Sequence, residues 1–105
     1  MFRKLSLLGN IGQDPELKEV GQSKKCTFSV AVTKKWTDKK TEEKKEKTSW
    51  TKVEVWGPFA EVCAKNLKKG AKVYCEGELE ESSYENKEGN KVSTWHLRAD
   101  TVEFV

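Results

Sequence analysis

The chain has 105 residues, which suits one compact domain, and its hydrophobic and charged fractions are both 35%. That composition leaves enough apolar residues for a small core and excludes a wholly disordered chain. The formal net charge is +3, no apolar window reaches 18 residues, and the N-terminus lacks a long apolar block. We therefore expect no membrane-spanning helix and no secretory signal.

Charge is distributed unevenly along the chain. From Lys34 to Lys52 there are eight lysines against four acids, whereas from Glu76 to Glu88 six glutamates stand against one lysine. The first region would attract a polyanion and the second would repel one, although two solvated loops would show the same counts. The pattern favours an anionic partner for one face of the protein.

The N-terminal part is predicted to form two strands. "FRKLSLLGN" has the pattern of a strand that ends at a Gly-Asn turn. "IGQDPELKEVGQSKK" has that of a loop or short connecting segment, because Asp14-Pro15 and Gly21 interrupt it. "CTFSVAVTKKW" alternates between apolar and polar residues, as a half-buried strand does, and its apolar face comprises Cys26, Phe28, Val30 and Val32.

The central part is predicted to contain a long loop, a strand and a helix. Residues Lys34 to Lys47 lack apolar periodicity after Trp36, so we expect a mobile hairpin loop there. "TSWTKVEVWG" is the next strand. In "PFAEVCAKNLKKG", Pro58 suits the first helical position and Gly70 follows the last turn as a stop; the apolar residues at helical spacing are Phe59, Val62, Cys63 and Leu67.

The C-terminal part is predicted to form two more strands, "AKVYCEGELEESSYEN" and "KVSTWHLRADTVEFV", joined by the hairpin loop "NKEGN". Five strands with one short helix between the third and fourth is the order of an OB-fold, an all-β, partly open five-stranded barrel. An SH3-like barrel and a small sandwich are the alternatives. Cys26, Cys63 and Cys75 lie among apolar neighbours without a CxxC pair, which indicates reduced core residues in a reducing compartment.

The third strand, "WTKVEVW", carries the most informative pattern. With a period of two, Val53 and Val55 face the core, and the two tryptophans face outward beside Lys52 and Glu54. A tryptophan exposed beside charges forgoes the free energy of burial, which indicates a partner. A nucleic-acid base is one such partner, because it stacks on an indole while lysines contact its phosphate. An oligomer interface and local packing remain alternatives.

The chain resembles the bacterial-type single-stranded DNA-binding proteins over nearly its whole length. The resemblance lies in "LSLLGNIGQDPEL", in the tryptophans on either side of the long loop, and in "VEVWGPFAEVCAKNLKKGAKVYCEGEL" and "YENKEGNKVSTWHL". It implies an OB-fold that binds and protects single-stranded DNA without sequence preference in replication, repair and recombination. It also implies a homotetramer, and an organellar member of the family is one possibility.

The resemblance also implies the binding residues. The positions for base stacking are Trp36, Trp50, Trp56 and Tyr84. The family's basic positions fall on Lys4, Lys39, Lys52, Lys68 and Lys69, and the charge count adds further candidate phosphate contacts at Lys34 and Lys35. Lys40, Lys44, Lys45 and Lys47 belong to the same lysine-rich run.

Some features depart from the family pattern. Glu80 and Glu81 precede Tyr84 where the family has basic residues, so we expect weak DNA contact by this hairpin. Trp95 replaces a polar residue, and its roles as core, interface or extra platform stay open. We expect residues 1–105 to be a single OB-fold DNA-binding domain without the family's acidic C-terminal tail. In the full-length protein, such a tail would recruit replication and repair proteins.

Two other functions fit the same exposed aromatics: an RNA-binding OB domain, and a protein adaptor. An enzyme is not expected, because His96 has no metal-spaced Cys or carboxylate partners and neither a GxGxxG motif nor a P-loop occurs. No cofactor or metal is expected. We expect the protein in the bacterial cytoplasm at the nucleoid, or inside an organelle after removal of a transit peptide.

Overall fold

The computed structural model describes residues 4–105. Its elements in chain order are β1 (Leu5–Ile11), β2 (Glu16–Val20), β3 (Ser23–Thr37), β4 (Lys44–Trp56), α1 (Pro58–Asn66), β5 (Lys72–Glu85) and β6 (Lys91–Phe104). In the described part of the chain, no helix is long and apolar enough to cross a membrane.

The strands form one sheet in the order β1-β5-β6-β4-β3-β2. A further pairing of Asn10 and Ile11 on β1 with β3 partly closes the sheet into a barrel. The β4–β6 pairing is parallel and the other pairings are antiparallel. This arrangement of β1, β3, β4, β5 and β6, with α1 between the third and fourth barrel strands, is the OB-fold that was predicted, and β2 is an addition at the edge.

The barrel interior is filled by the inward residues of alternating strands. The predicted faces of β3 and β4 are confirmed, because Cys26, Phe28, Val30, Val53 and Val55 are all buried. The core cluster is completed by residues from the other elements: Ile11, Ala60, Cys63, Leu67, Val73, Cys75, Leu97, Ala99 and Val102. The three cysteines are free and fully buried, as expected of small apolar side chains.

The helix begins where the sequence predicted and ends earlier. Pro58 occupies the first turn, preceded by Gly57 at φ 86°, a left-handed conformation that glycine adopts without strain. The predicted stop at Gly70 was wrong, because the helix ends at Asn66. Leu67 is already extended, at φ −99° and ψ 140°, and its side chain enters the core. Leu67 is thus the C-terminal cap of the helix, and its N–H donates to the Cys63 carbonyl at 2.9 Å.

Two segments predicted as loops contain strands. The segment from Ile11 to Lys25 includes β2, which pairs with Ser23–Thr27 of β3. All five β2 residues are exposed, so the strand has no buried face to create an alternating pattern. Likewise, most of the predicted Lys34–Lys47 loop is a two-stranded ribbon, since β3 continues to Thr37 and β4 begins at Lys44. Only residues 38–43 form the turn.

Candidate nucleic-acid interface

The outward side of β4 carries the predicted row of side chains. Trp50 and Lys52 are exposed and Glu54 and Trp56 are half-buried, whereas the alternate Val53 and Val55 are buried. This row, Trp50, Lys52, Glu54 and Trp56, is called the β4 outer face below. It presents two indoles and a cation on one side of a rigid sheet, as base stacking with phosphate contact requires.

Trp50 is the most exposed of these aromatics and lies on a glycine. The ring packs so closely over Gly12 that a Cβ at that position would clash with it. Gly12 is itself fixed by an N–H donated to the carbonyl of Ser29 at 3.0 Å. Even so, 62% of the Trp50 surface is exposed, so the ring is supported from below and open above. Such a supported ring loses little conformational freedom when it stacks on a base.

Trp36 lies farther out on the β3–β4 ribbon and on its other side. Trp36 is directly opposite Lys45, and Trp50 is directly opposite Ala31, five positions away along the ribbon. Because facing alternates with each residue, the two indoles project from opposite faces, about 17 Å apart along the strands. Trp36 is 46% exposed. A single strand that stacks on both rings would therefore pass around the ribbon.

Lysines cluster around Trp36. Lys34 is directly opposite Lys47, and both share the face of Trp36 and Lys45. We call Lys34, Trp36, Lys45 and Lys47 the Trp36 face. Like charges directly opposite each other destabilise a sheet. A bound phosphate between Lys34 and Lys47 would remove that repulsion.

Other predicted lysines on the hairpin differ in their surroundings. Lys35 is on the opposite face of the ribbon from Trp36, directly opposite Glu46, and Lys39 is exposed in the turn. Lys45 is 3.2 Å from Asp38. Lys52 is on the β4 outer face, where it lines a shallow groove with Lys18 and Lys25. The groove is mixed in charge, because Asp14 and Glu16 line it beside the three lysines, so the lysine-rich part of this surface is the hairpin.

The remaining predicted lysines lie outside the hairpin. Lys4 hydrogen-bonds Glu76 of β5, which raises the pKa of Lys4 and lowers that of Glu76. Its ammonium group is thus partly satisfied within the protein. Lys68 and Lys69 are exposed just after α1, and the Lys69 N–H donates to Asp14 at 2.8 Å. That bond ties the two lysines to the segment that supports Trp50.

The β5–β6 hairpin carries Tyr84 and Trp95 on opposite faces. Tyr84 is directly opposite Val92, and Trp95 is directly opposite Glu81, an odd number of positions away. Both rings are about half exposed, 56% for Tyr84 and 47% for Trp95. Glu80 approaches Arg98 at 3.8 Å. Glu81 and Glu85 share the face of Trp95, whereas Tyr84 shares its face with Ser82 and Glu80.

Trp56 has two cations that the sequence interpretation missed. The Lys25 ammonium lies 5.4 Å and the Arg98 guanidinium carbon 5.6 Å from the centre of the indole. Lys25 is directly opposite Trp56, and Arg98 is opposite Glu54 in the parallel β4–β6 pairing. Had the sequence been interpreted as a β3–β4 hairpin with its turn at residues 38–43, the register of that hairpin would have placed Lys25 opposite Trp56. The parallel pairing of Arg98 has no comparable local signal.

The three cysteine thiols lie in the core. Burial raises the pKa of Cys26 to about 11 and those of Cys63 and Cys75 to about 12, so the thiols stay protonated at neutral pH. No cluster of three or more His, Cys, Asp or Glu that suits a metal ion occurs within residues 4–105. The features with an evident chemical use are the exposed aromatics and the lysines beside them.

The fold and the surface together define an OB-fold protein with aromatic and cationic side chains on its outer sheet face. Residues 2–105 match the single-strand binding protein family, and the chain belongs to that family. It is 39% identical over 105 residues to single-stranded DNA-binding protein 1 of Xylella fastidiosa (strain 9a5c), covering 99% of this chain and 77% of that protein. The solved structure of the Plasmodium falciparum SSB complex with ssDNA superimposes with a TM-score of 0.89 at 28% identity, covering 100% of this chain and 96% of that one.

Proposed function

We propose that this chain binds single-stranded DNA without sequence preference and protects it during replication, repair and recombination. The observation that carries the proposal is the pair of exposed indoles, Trp36 and Trp50, at the two ends of a lysine-rich ribbon. Stacking is indifferent to base identity because every base has a π-face. Lysine contacts with phosphates add an electrostatic part that is equally independent of sequence.

In this proposal the side chains have separate tasks. The bases stack on Trp36, Trp50 and Tyr84, with Trp56 completing the aromatic set. The phosphates are contacted by Lys34, Lys35, Lys39, Lys52, Lys68 and Lys69, with Lys4 as a weaker contact because Glu76 already engages it. The activity is binding and not catalysis. Residues 1–105 act as one DNA-binding domain, in the bacterial cytoplasm or in an organelle.

The test is a titration of intrinsic tryptophan fluorescence with oligo-dT and with oligo-U of equal length at two salt concentrations. We expect quenching by oligo-dT and no preference for the ribose form. The double variant Trp36→Ala/Trp50→Ala should bind at least about tenfold more weakly, followed with a labelled oligonucleotide. Phe59→Leu, which changes an exposed aromatic on α1, is the control.

Two results would overturn the proposal. A clear preference for oligo-U would favour an RNA-binding domain that reads the 2′-hydroxyl. Unchanged affinity in the double variant would favour a protein adaptor, in which the indoles dock a polypeptide.

We also propose a homotetramer, as the family resemblance implies. Light scattering should then give four times the chain mass of 12.0 kDa. A monomer at binding concentrations would contradict the assembly while leaving DNA binding intact.

A further inference from the structure

The β5–β6 hairpin has a charged face that the proposed function leaves unused. Glu81 and Glu85 of β5 share this face with Trp95 of β6, and all three side chains are exposed. We call Glu81, Glu85 and Trp95 the Trp95 face. Within residues 4–105 neither carboxylate has an ion-pair partner, although Lys91 lies directly opposite Glu85. The face is therefore acidic around a half-exposed indole.

The Trp36 face of the β3–β4 ribbon has a similar construction and the opposite charge. Lys34 and Lys47 lie directly opposite each other, and neither has an ion-pair partner in the described part of the chain. Trp36 is 46% exposed, nearly the same as Trp95 at 47%. Each face thus combines a half-exposed indole with charged side chains that lack ion-pair partners, and the two faces are complementary in sign.

The two faces of one chain do not meet. The β4–β6 pairing is parallel, so both ribbons leave the barrel at the same end. Trp36 continues the alternation of the buried Val30 on β3, and Trp95 continues that of the buried Leu97 on β6, so both faces extend the core side of one sheet. Adjacent ribbons of a sheet present this side in a similar direction. Accordingly, no ion pair joins the two hairpins among residues 4–105.

A second copy of this chain supplies the complementary surface. Each copy carries one acidic and one basic face, so the Trp95 face of one copy matches the Trp36 face of another in charge. Stacked sheets lie about 10 Å apart, a gap that Glu and Lys side chains bridge while the indoles fill the space between them. Complementary charge favours the pairing of unlike faces, whereas two like faces repel each other.

We propose that the Trp95 face docks on the Trp36 face of a second copy of this chain, which makes Trp95 an interface residue. The contact itself needs no DNA. A single strand would compete with it, because the phosphates and the carboxylates of Glu81 and Glu85 approach the same two lysines, Lys34 and Lys47; this competition rests on the proposed function. The acidic hairpin of one copy then covers the basic ribbon of another until DNA replaces it.

The test measures the mass of the DNA-free protein by light scattering. High salt screens the contact, so the mass at about 500 mM salt is that of the basal assembly, and we expect a mass at least about twofold higher at about 20 mM salt. Glu81→Lys/Glu85→Lys and Lys34→Glu/Lys47→Glu should each keep the basal mass at both salt concentrations. Either change gives the two hairpins of a chain the same sign of charge.

An equimolar mixture of these two charge-reversed variants tests the pairing of unlike faces. Each variant supplies the face that the other has lost, so the larger mass should return at low salt, which misfolded variants would not show. Matched controls reverse the same number of exposed charges elsewhere on the surface: Glu19→Lys/Glu103→Lys and Lys65→Glu/Lys72→Glu. Both controls should keep the wild-type mass at each salt concentration.

Three results would overturn the contact: a wild-type mass that does not change with salt, a mixture that stays at the basal mass, or an equal loss of mass in the controls. Thermal melting checks that each variant folds. If a reversed variant does not fold, Glu81→Gln/Glu85→Gln replaces it, and a low-salt mass as large as that of the wild type would then contradict the contact.

A second arm adds a short oligo-dT to the wild type at low salt. We expect the larger assembly to return to the basal assembly with its bound DNA. Binding of oligo-dT without this loss of mass would overturn the competition. Failure to bind oligo-dT would contradict the proposed function instead, and the salt-dependent mass of the DNA-free protein would still decide whether the two faces dock.

Discussion

The two long hairpins of this barrel are built alike and charged oppositely. Both run beyond the barrel as two-stranded ribbons and both carry exposed aromatics, Trp36 on β3–β4 and Tyr84 with Trp95 on β5–β6. Lysines surround Trp36, whereas glutamates precede Tyr84. The aromatic side chain alone therefore does not define a DNA contact, because the charge around it decides whether a phosphate can follow.

The two hairpins also differ in whether their charged side chains already have partners of opposite charge. On the β3–β4 ribbon, Lys34 and Lys47 repel each other until an anion arrives. On the β5–β6 side, Glu80 already has a cation partner in Arg98. We therefore expect DNA to engage the first hairpin strongly and the second weakly.

The largest effect should follow removal of the lysines from the basic ribbon. Lys34→Gln/Lys35→Gln/Lys47→Gln removes three candidate phosphate contacts. At about 0.7 in slope per contact, the salt dependence should fall by about 2 and the affinity at 50 mM salt by roughly 500-fold. Oligo-dT titrations over a salt series measure both. Lys65→Gln/Lys72→Gln/Lys87→Gln is the matched control, and an equal loss in the control would contradict the assignment to this hairpin.

A smaller effect should separate the aromatics. Trp50→Ala should weaken oligo-dT binding by about 1–3 kcal/mol, roughly 5- to 150-fold, with an unchanged salt slope, because stacking releases no counterions. Tyr84→Ala should weaken binding less than Trp50→Ala, since the glutamates of the β5–β6 hairpin as a whole disfavour a nearby polyanion. Anisotropy of a labelled oligonucleotide measures both variants. A larger loss in Tyr84→Ala would reverse the ranking of the two hairpins.

The parts that were predictable from sequence are those with one buried face. Val53 and Val55 alternate with Trp50 and Trp56 because one side of β4 meets the core. That alternation predicted that the two tryptophans face outward. The ribbon beyond Thr33 has two wet faces, so no period marked it as a strand and the opposite facing of Trp36 and Trp50 stayed hidden. Arg98 reaches Trp56 through a parallel pairing between distant segments, which no local pattern encodes.

Removing negative charge from the β5–β6 hairpin should raise the affinity for oligo-dT. Glu81→Gln/Glu85→Gln removes two exposed carboxylates from the face of the β5–β6 hairpin that carries Trp95, the face opposite to that of Tyr84, and leaves the Glu80–Arg98 pair intact. Surface charge interactions are individually below about 1 kcal/mol, so we expect about two- to fivefold tighter binding at low salt. Glu103→Gln, on the far end of β6, is the control. Equal affinity in the wild type and the double variant would mean that the strand does not approach this hairpin at all.

The smallest effect concerns the turns that close the two ribbons. Asp38 accepts the N–H of Lys40 at 2.8 Å in one turn, and Asn86 accepts those of Glu88 and Asn90 at 3.0 and 2.9 Å in the other. The Lys40 N–H, followed by Lys45, lowers the pKa of Asp38 below its ordinary 3.8, whereas the Asn86 amide does not titrate. Of the two side chains that accept these turn hydrogen bonds, only Asp38 carries a charge that depends on pH.

Because the pKa of Asp38 is lower in the folded turn than in the open chain, ionised Asp38 stabilises the turn above pH 3.8, and that contribution is lost as pH falls through the lowered value. We expect amide exchange at Lys40 to accelerate relative to Glu88 as the pH is taken from 6 towards about 2, after correction for intrinsic rates. Asp38→Asn should remove the difference, since an asparagine oxygen accepts the same N–H at every pH. Equal acceleration in both turns would instead indicate opening of the whole barrel, and the charge of Asp38 would then have no local part in holding the lysines of the ribbon in place.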